Sequence, residues 1–508
     1  MNAAHLTAAK ATDLDTPRGR FFYRMFEILP GAIAWSTLLL AFLVSWLFPA
    51  LAAFFILGFV LYWFLRTVYF AFHLRAGYRR TREHEKANWL QRVKKIEGWE
   101  GIYHLVLVPT YREPLEILRE TFAALRSSDY PKDKMMVVLG IEEREGEEGA
   151  RKARALEREF GGDFLRFLIS WHPAGLLGEI AGKGANETWA AKKAKAELID
   201  PLGILLERVI VTSLDADTVV FPKYFSCLAH HYLTSLAPLR HSYQPVPLFI
   251  NNIWTSSALS RLFAFATTFW FLMNQERPEK LSTFSSHSMA FKTLVEVGYR
   301  QVNYAVDDSR IFWQCFLRYE GDYSVQPLYY PVSMDANAAP TFFDTVRNIY
   351  RQQLRWAYGA ADIPYFLYGF IKSKRIPLRK KIPLGFDRME AYWSWAVASP
   401  LIFFLGWLPL VLGGDAFTQT LLSYNLPRVT SWILTIMMLG LVWAAFLSML
   451  FLPPRPMRYG RWHTLWLILQ WALLPPIMIF FAVPALHAQT RLMLGKYMGF
   501  WSTPKFRD

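Results

Sequence analysis

Residues 208–222 read RVIVTSLDADTVVFP, and this stretch decides the fold class. A short apolar run rich in β-branched residues predicts a strand that is buried on both faces. Asp215 and Asp217 follow at its carboxyl end, where open α/β sheets bind ligands. Two carboxylates at this spacing can share a hard divalent cation, which in turn neutralises a diphosphate. The alternative is an Asx turn with two solvated aspartates, but the position at a strand end favours the metal site.

Further apolar runs and helical patterns surround this stretch. The predicted strands are 104–109, 135–141, 166–171 and 208–214, and the predicted helices are 115–127, 147–159 and 185–198. Alternating strands and helices are typical of a mainly parallel sheet with helices on both faces. We therefore predict an α/β domain with its ligand site at the carboxyl ends of these strands.

The composition places this domain in a membrane protein. Of the 508 residues, 53% are hydrophobic and 17% aromatic, more than in an ordinary soluble protein. Five apolar stretches approach the roughly 20 residues that a helix needs to cross a bilayer core; they are 31–48, 50–65, 392–412, 431–452 and 464–486. The first is not a cleavable signal peptide, because a long segment precedes it and a second span follows at once. We predict a multi-pass integral membrane protein with the α/β domain inserted between α-helical transmembrane segments.

The net charge of +15 is concentrated beside these spans. The flanking bases are Arg75, Arg79, Arg80 and Arg82, the run KSKRIPLRKK at 372–381, and Arg455, Arg458 and Arg461. By the positive-inside rule these flanks are cytoplasmic. Anionic membrane lipid therefore explains the charge better than a nucleic-acid partner, which we do not expect. The two cysteines, Cys227 and Cys315, suit a reducing cytosol.

The predicted organisation has six parts. They are an N-terminal cytoplasmic segment (1–30), a transmembrane hairpin (31–74), a cytoplasmic domain (75–340), interfacial helices (341–385), a C-terminal transmembrane region (386–494) and a tail (495–508). Within the domain, the amphipathic aromatic stretch 254–274 predicts a helix at the membrane surface.

Two other stretches have both structural and chemical interpretations. In NYAVDDSRIFWQCFLR (303–318), Asp307 and Asp308 open a helical run, where the macrodipole favours acidic residues. A carboxylate near a metal-bound diphosphate can instead act as general base toward an acceptor hydroxyl. In NIYRQQLRWAYGAADIPYF (348–366), the arginine and tryptophan suit a helix at the lipid headgroups. Taken alone, each stretch is explained structurally.

Five short motifs occur in a characteristic order. They are VPTYREP (108–114), GKGANE (182–187), SLDADT (213–218), VDDS (306–309) and QQLRW (352–356). Over about residues 100–360 this order resembles the membrane-embedded family 2 glycosyltransferases of the cellulose, chitin and hyaluronan synthase type. The resemblance implies a GT-A fold, a nucleotide-sugar donor that is usually UDP-linked, and Mg²⁺ or Mn²⁺ as cofactor. It also implies a cytoplasmic catalytic domain, and we expect the inner membrane of a bacterial cell.

The resemblance assigns the donor site residue by residue. Thr110 and Glu113 match the first-strand motif that holds the nucleotide, and Lys183 matches the basic residue near the donor. Asp215 is expected to face the nucleotide and to share the metal. Asp217 is expected to ligate the metal.

The same resemblance assigns the catalytic and acceptor groups. Asp308 matches the catalytic aspartate of the family motif TED, which reads Val-Asp-Asp here. Gln352, Arg355 and Trp356 match QxxRW, with Arg355 near the diphosphate and Trp356 near the acceptor. A guanidinium suits a diphosphate because it donates in a planar fork, and an aromatic face suits a sugar ring.

The sequence departs from the family pattern at two places. The second strand continues GIEEREG where the family has aspartate, so Glu142 or Glu143 is expected to serve the nucleotide. The acceptor-side stretch is TFSSHSMAF (283–291), in which Ser285 and His287 are candidates for an unusual acceptor pocket. The alternative for His287 is a satisfied, partly buried histidine.

Two other histidines are adjacent on a predicted helix. His230 and His231 point apart there, so we expect no metal pair.

The tail GFWSTPKFRD resembles the FxVTxK gating loop of cellulose synthases at Phe500, Thr503 and Lys505. That loop is cytoplasmic, whereas three spans after a cytoplasmic domain would leave the tail outside. A bend at Pro475-Pro476 with re-entry of 464–494 resolves the conflict, because prolines are tolerated where neighbouring protein satisfies the backbone.

The sequence thus predicts an inverting hexosyltransferase that elongates a glycan processively and passes it across the membrane. The close alternative is a single transfer to a polyprenyl phosphate or glycolipid. A transporter or scaffold with a degenerate domain is a different class. It would show lost carboxylates or charged spans, and the sequence shows neither.

Overall fold

The computed structural model describes residues 6–507. Its helices are α1 (Pro17–Leu47), α2 (Pro49–Lys86), α3 (Trp89–Val93), α4 (Leu115–Arg126), α5 (Gly146–Phe160), α6 (Lys183–Ala194), α7 (Tyr224–Thr234), α8 (Ala258–Gln275), α9 (Phe291–Glu296), α10 (Asp307–Arg318), α11 (Phe342–Ala357), α12 (Asp362–Lys372), α13 (Leu378–Phe403), α14 (Leu408–Leu412), α15 (Gly414–Thr418), α16 (Leu421–Phe451), α17 (Arg461–Leu469) and α18 (Leu474–Met493). Its strands are β1 (Tyr103–Thr110), β2 (Met135–Glu142), β3 (Arg166–His172), β4 (Val209–Ser213), β5 (Val219–Val220), β6 (His241–Phe249), β7 (Ser288–Ala290) and β8 (Ser324–Met334).

The eight strands form one sheet in the order β3-β2-β1-β4-β7-β6-β8-β5. The four strands predicted from the sequence are β1 to β4, and they pair in parallel. They are linked by α4, α5 and α6, which cover the sheet as crossover helices do. Every residue of β2 is buried, as expected for a parallel strand that is covered on both faces. The predicted fold class is confirmed: an α/β domain inserted between helices that are apolar enough to cross a membrane.

The other half of the sheet is mixed. β7 runs antiparallel to β4 and to β6, β6 pairs in parallel with β8, and β5 is antiparallel to β8. These strands place two further segments next to the end of β4. The loop before β7 carries Ser285, and the end of β8 leads to Asp335. The mixed half therefore completes the walls of the site at the carboxyl end of β4.

Among the described residues, three helices are long and apolar enough to cross a membrane: Pro17–Leu47, Pro49–Lys86 and Leu421–Phe451. They match the predicted spans 31–48, 50–65 and 431–452, two of which run one residue beyond the helix end. With 38 residues, α2 is about 57 Å long, well beyond the roughly 30 Å of a bilayer core. Its charged C-terminal part therefore extends to the α/β domain.

The two other predicted spans are broken helices rather than single long ones. Stretch 392–412 comprises the end of α13, a short 3₁₀ turn at Leu405–Trp407 and α14. Stretch 464–486 comprises α17, a 3₁₀ turn at Gln470–Leu473 and the first part of α18. The break precedes Pro475 and Pro476, which stand in the first turn of α18 because proline is tolerated there.

Contacts between the membrane-type helices define how the chain runs along them. Gly413 lies against the tip of the α1–α2 hairpin, since an added Cβ there would be 2.8 Å from Pro49 Cβ. At the other end of the bundle, the ring of Phe451 lies 5.2 Å from that of Tyr78. Helix α13 therefore leads from the domain to the tip, and α16 returns to the domain.

The segment with α17 and α18 begins and ends on the domain side. Before α17, Tyr459 stacks on Trp254 of the domain at 5.8 Å. At the end of α18, Arg24 donates hydrogen bonds to the carbonyl oxygens of Leu492 (3.0 Å) and Met493 (2.5 Å). Both ends of this segment thus lie near the α/β domain.

Candidate active site

A cavity of about 560 Å³ opens at the carboxyl ends of β1, β2 and β4. The predicted site residues that line it are Thr110, Glu113, Glu142, Lys183, Asp215, Asp217, Ser285, Asp308, Gln352, Arg355, Trp356, Phe500, Thr503 and Lys505. They come from segments that are far apart in the chain. The fold brings them together because parallel strands end at one edge of the sheet.

Lys183 joins two of the predicted carboxylates. It is the first residue of α6, and its Nζ donates to Asp215 Oδ1 at 2.6 Å and to Asp308 Oδ1 at 3.0 Å. Burial opposes ionisation of both aspartates. The Lys183 ammonium outweighs it and lowers the pKa of Asp215, and together with Arg300 it holds the pKa of Asp308 far below its usual value. Both aspartates are therefore anions that share one cation.

Asp217 is fully buried and bonds a different lysine, Lys505. Its Oδ2 accepts from Lys505 Nζ at 2.5 Å and from the backbone N–H of Asp335 at 2.9 Å. Burial alone would lower the pKa of Lys505, but Asp217 and Asp335 raise it. The other oxygen, Asp217 Oδ1, is buried without a hydrogen-bond partner among the described residues. A buried carboxylate oxygen with no donor suits a hard cation, so the residues present fit a divalent metal.

An arginine that no sequence motif marks supports Asp308. Arg300 bonds Glu187 at 2.7 Å, Asp307 at 2.8 Å and Asp308 at 3.2 Å. Glu187 in turn accepts from the hydroxyl of Ser213, at the end of β4. Arg300 thereby ties α6, α10 and β4 together behind the cavity and fixes the position of Asp308.

The loop after β1 is organised by Glu113. Its carboxylate accepts from Thr110 Oγ1 at 2.8 Å and from the Tyr111 N–H at 2.5 Å. Burial raises the pKa of Glu113, although these hydrogen bonds oppose the shift. Arg112, between Tyr111 and Glu113 in the chain, adopts a left-handed conformation with φ +68°, which is uncommon for a residue other than glycine. The loop is therefore held in a fixed shape at the rim of the cavity.

Glu142 ends β2 and lines the cavity, as the sequence predicts for the residue that replaces aspartate. Its carboxylate is held by Asn186 Nδ2 at 3.2 Å, His172 Nδ1 at 3.3 Å and Arg144 Nε at 3.3 Å. Since three donors fix it, Glu142 is oriented before any ligand binds. Glu143 does not line the cavity and accepts instead from the N–H of Ala174 at 2.9 Å.

The QxxRW motif lies on α11, which begins at Phe342 with Thr341 as its N-cap. Gln352 Oε1 accepts from Asn337 Nδ2 at 3.0 Å, which fixes that side chain. Arg355 lies over the ring of Phe500 at 5.1 Å, and its Nε is buried without a hydrogen-bond partner among the described residues. The structure thus presents a guanidinium at the cavity wall with unused donor capacity.

The two residues predicted for the acceptor side, Ser285 and His287, lie in different environments. Ser285 lines the cavity, but His287 does not and is buried behind it. Its Nδ1 bonds the Phe284 carbonyl at 2.7 Å and its Nε2 faces Arg300 at 3.2 Å. Burial, with Arg300, lowers the pKa of His287 to about 3, so the ring is neutral. The interpretation of His287 as an acceptor residue is therefore corrected in favour of a satisfied, buried histidine.

The tail is folded into the cavity although it has no regular secondary structure. Phe500 packs on Gly182, where an added Cβ would lie 2.6 Å from Phe500 Cγ. Because Gly182 has extended backbone with φ −179°, it is the lack of a side chain that this contact requires. Near the start of the tail, Tyr497 donates to Glu27 on α1 at 2.9 Å. Near its end, Arg507 bonds Asp335 at 2.7 Å, so both ends of the tail are attached.

The cavity continues from the carboxylates toward the membrane-type helices. Its lining there is aromatic, with Trp63 and Phe70 from α2, Trp270 from α8, and Trp395 from α13. Arg388 of α13 also lines this part, and its Nε is buried without a partner among the described residues. Sequence patterns do not indicate this extension, because its residues belong to helices whose apolar composition is already explained by membrane insertion.

No protein-family model matches the chain, and no curated protein matches it. Several solved glycosyltransferase structures resemble it. Mannosyltransferase PcManGT from Pyrobaculum calidifontis, in complex with GDP-Man and Mn²⁺, shares 16% identity, with a TM-score of 0.43 over 85% of this chain and 99% of that one. S. aureus TarS in complex with UDP shares 11%, with a TM-score of 0.33 over 78% and 91%. GalNAc-T7 with UDP, GalNAc and Mn²⁺ shares 9%, with a TM-score of 0.33 over 57% and 58%. Likenesses of this size concern the fold and not the reaction.

Proposed function

We propose that the chain is a membrane-bound glycosyltransferase of the family 2 type that uses a nucleotide-sugar donor, UDP-linked as the sequence resemblance implies. The observation that carries this proposal is the charge arrangement of the cavity. Asp215, Asp217 and Asp308 are each paired with a lysine, while Arg355 keeps free donors. A ligand that brings both a divalent cation and a diphosphate satisfies the carboxylates and the guanidinium together.

Asp217, with Asp215 beside it, is the proposed site for Mg²⁺ or Mn²⁺. When bound, the metal neutralises the diphosphate and stabilises it as a leaving group. Thr110, Glu113 and Glu142 line the wall on which the nucleotide is proposed to lie. The N-terminus of α6 faces the same space and favours negative charge there.

Asp308 is the proposed general base. The acceptor hydroxyl oxygen forms a bond to the anomeric carbon, the bond from that carbon to the phosphate oxygen breaks, and Asp308 takes the hydroxyl proton. Attack from the face opposite the leaving group gives inversion. Paired with Lys183, Asp308 is a weak base because its pKa is far below the usual value. A diphosphate that draws Lys183 away raises this pKa, so donor binding activates the base.

The tail is proposed to gate the site. Lys505 sits on Asp217 in this structure, and Thr503 is buried with a hydroxyl that lacks a partner among the described residues. A donor with its metal displaces Lys505 from the carboxylate. Thr503 and Lys505 then become available to the diphosphate, and the tail excludes water from the loaded site.

We propose a topology in which the domain and the tail are both cytoplasmic. Helix α13 leads outward and α16 returns, and the segment with α17 and α18 begins and ends near the domain. This is the re-entrant arrangement that the gating interpretation requires. The three long apolar helices support a location in the membrane, where lipid is the proposed partner.

The acceptor is proposed to be a growing glycan that enters the aromatic part of the cavity. Rings such as Trp63, Trp270 and Trp395 offer faces on which sugars stack. Continuity from Asp308 to these rings supports processive elongation coupled to translocation. One observation favours a second candidate, transfer to a polyprenyl phosphate or glycolipid: the unused donor of Arg388, which suits a lipid-linked phosphate.

Purified protein should be incubated with a panel of radiolabelled UDP- and GDP-sugars and Mn²⁺, and the products sized. A processive synthase gives a polymer from one donor, whereas the second candidate gives a lipid-extractable product of one added sugar. Asp308→Asn is the control for each donor. Absence of transfer, hydrolysis and nucleotide binding for every donor would refute the proposal.

A further inference from the structure

A second cluster of possible metal ligands lies outside the cavity, where α2 meets the α/β domain. His84 stands near the end of α2, and Cys227 and His231 stand one turn apart on α7. One ligand atom from each residue lies within 4.8 Å of the other two. None of the three takes part in the proposed transfer reaction, so their gathering requires a separate explanation.

His84 already has the hydrogen bond that is typical of a metal-bound histidine. Its Nδ1 lies 2.9 Å from the carbonyl oxygen of Leu328 on β8. A carbonyl can only accept, so Nδ1 carries the proton. The lone pair is then on Nε2. A backbone carbonyl on the second ring nitrogen orients a ligating histidine in this manner.

His231 offers a nitrogen that nothing else uses. Its Nε2 is buried and has no hydrogen-bond partner among the described residues. Its Nδ1 faces the side-chain amide of Gln326 at 3.2 Å, and the amide oxygen accepts from Nδ1 when that amide is turned over. Burial, with His84 and His230, lowers the pKa of His231 to about 3, so the ring is neutral as a ligand must be.

Cys227 completes the set. It is a free thiol and fully buried, with its Sγ 4.0 Å from the Leu328 carbonyl oxygen. Burial raises the pKa of this thiol well above its usual value. A bound divalent metal reverses that preference, since a coordinating thiol is deprotonated outright.

We propose that His84, Cys227 and His231 form a zinc site. Two imidazoles and one thiolate are a ligand set that Zn²⁺ favours. Ligand atoms of a tetrahedral zinc centre lie roughly 3.3–3.8 Å apart, as bond lengths near 2.0–2.3 Å require. The ligand atoms lie within 4.8 Å of one another in this structure, so side-chain rotation has to shorten these distances by up to about 1 Å. The three residues supply three of the four ligand positions of such a centre.

The surroundings enclose the site. Trp89 lies 5.1 Å from the ring of His84 and 5.6 Å from that of His231, and Tyr329 lies 5.4 Å from His84. Arg92 lies over the ring of Trp89 at 4.8 Å. The positive charge of Arg92 disfavours a metal cation nearby, but the Cys227 thiolate cancels one of the two positive charges of Zn²⁺. His230 is not a member of the cluster.

The metal would hold the α/β domain to the helix that leaves the membrane. Lys223, just before α7, already donates to the carbonyl oxygens of Glu85 (2.9 Å) and Ala87 (3.0 Å) at the end of α2. A zinc ion between His84 and α7 adds a bond of fixed geometry to the same junction. The site is therefore structural, and its role is to set the orientation of the domain relative to the membrane.

Metal analysis of the full-length protein, purified without chelator, tests this proposal. We expect about one zinc per chain in the wild type, and at most a tenth of that in Cys227→Ser and His231→Gln. Cys315→Ser and His230→Gln are matched controls that should keep the zinc. Asp217→Ala should also keep it, which separates this site from the proposed catalytic metal.

Cobalt provides a readout that does not depend on how the variants fold. Exchange of Co²⁺ into wild-type protein should give a thiolate-to-cobalt charge-transfer band and tetrahedral ligand-field bands. Removal of zinc by a chelator should lower the Tm of the wild type and leave that of Cys227→Ser unchanged. The proposal would be overturned if the wild-type protein contained no zinc and showed no cobalt–thiolate band. The cluster would then consist only of imidazole, thiol and aromatic groups packed together.

Discussion

Lys505 Nζ lies 2.5 Å from Asp217 Oδ2, so the fourth residue from the end of the chain sits on the carboxylate that is proposed to hold the metal. The two residues are 288 positions apart in the chain: Asp217 follows β4, and Lys505 belongs to the tail. An ammonium bound to Oδ2 repels a divalent cation that binds the other oxygen of the same carboxylate. The tail and the metal therefore exclude each other at Asp217, and the predictions below begin from this competition.

Replacing Lys505 by methionine should tighten Mn²⁺ binding in the absence of donor. The substitution removes the competing ammonium but keeps an unbranched side chain. We expect about a tenfold lower Kd, equivalent to about 1.4 kcal/mol, with lower turnover because the diphosphate loses a contact. Mn²⁺ titration followed by electron paramagnetic resonance measures the binding, with Lys496→Met as control. Weaker Mn²⁺ binding in the variant would contradict the competition.

Asp217→Ala should abolish metal-dependent transfer. Its carboxylate is fully buried and has one unpartnered oxygen, so no neighbouring group replaces it as a ligand. EDTA should inactivate the wild type, and added Mn²⁺ should restore the wild type but not the variant. Asp217→Asn keeps the shape and serves as a second variant. Full activity of either variant would exclude the metal role.

Asp308→Asn should lower turnover by roughly 10²–10⁴, the usual contribution of a general base. The amide keeps the shape and can still bond Arg300 through its oxygen, but it cannot accept the proton. Donor binding should persist, because Asp217 and Arg355 remain. Nucleotide titration separates the two effects, and Asp322→Asn in an exposed turn is the control. Loss of donor binding, or turnover near that of the wild type, would show a structural role.

His172 should make stability depend on pH. Burial alone would lower its pKa, but Glu142 and Glu179 raise it above the usual 6.5. The bound proton stabilises the folded state fully below the unfolded pKa, and this stability is lost as pH rises through the folded pKa. The Tm should therefore fall as pH increases above about 6.5, and less so in His172→Gln. Equal slopes by differential scanning fluorimetry would refute this.

A cysteine at Ser502 should report the side of the membrane on which the tail lies. Cys227 and Cys315 are buried, so the background reaction is low. An impermeant maleimide should label Ser502→Cys in inverted vesicles and not in intact cells. Asp415→Cys, in the exposed segment near the Pro49 tip, should show the opposite pattern. Labelling of Ser502→Cys from outside would exclude tail gating.

The sequence predicted the parallel half of the sheet because its signal is local. Each of β1 to β4 is a continuous apolar run, as burial on both faces requires. Most of the predicted site residues line the cavity, because they follow strand ends or belong to motifs of known order. The mixed half was missed, since a strand of three residues such as Ser288–Ala290 is defined by its partners rather than by its own composition.

The features that were not predicted depend on contacts between residues that are distant in the chain. Arg300 lies in a stretch without a motif, and only the fold shows that it supports Asp308. His287 faces Arg300 rather than the cavity, which a strand pattern cannot distinguish. The broken helices around 405 and 470 have the composition of spans, so apolar length alone overestimated their continuity. The cluster of His84 with α7 is likewise invisible until α2 is placed against the domain.

The attachment of Tyr497 to Glu27 makes the tail an intramolecular ligand on a short tether. Only the residues between 497 and 505 separate this anchor from Asp217. A flexible tether of this length gives an effective concentration of about a millimolar. Occupancy of Asp217 by the tail is therefore independent of how much protein the membrane contains. Under the proposed function, transfer would respond instead to the level of metal-bound donor, which must exceed this fixed internal threshold before transfer begins.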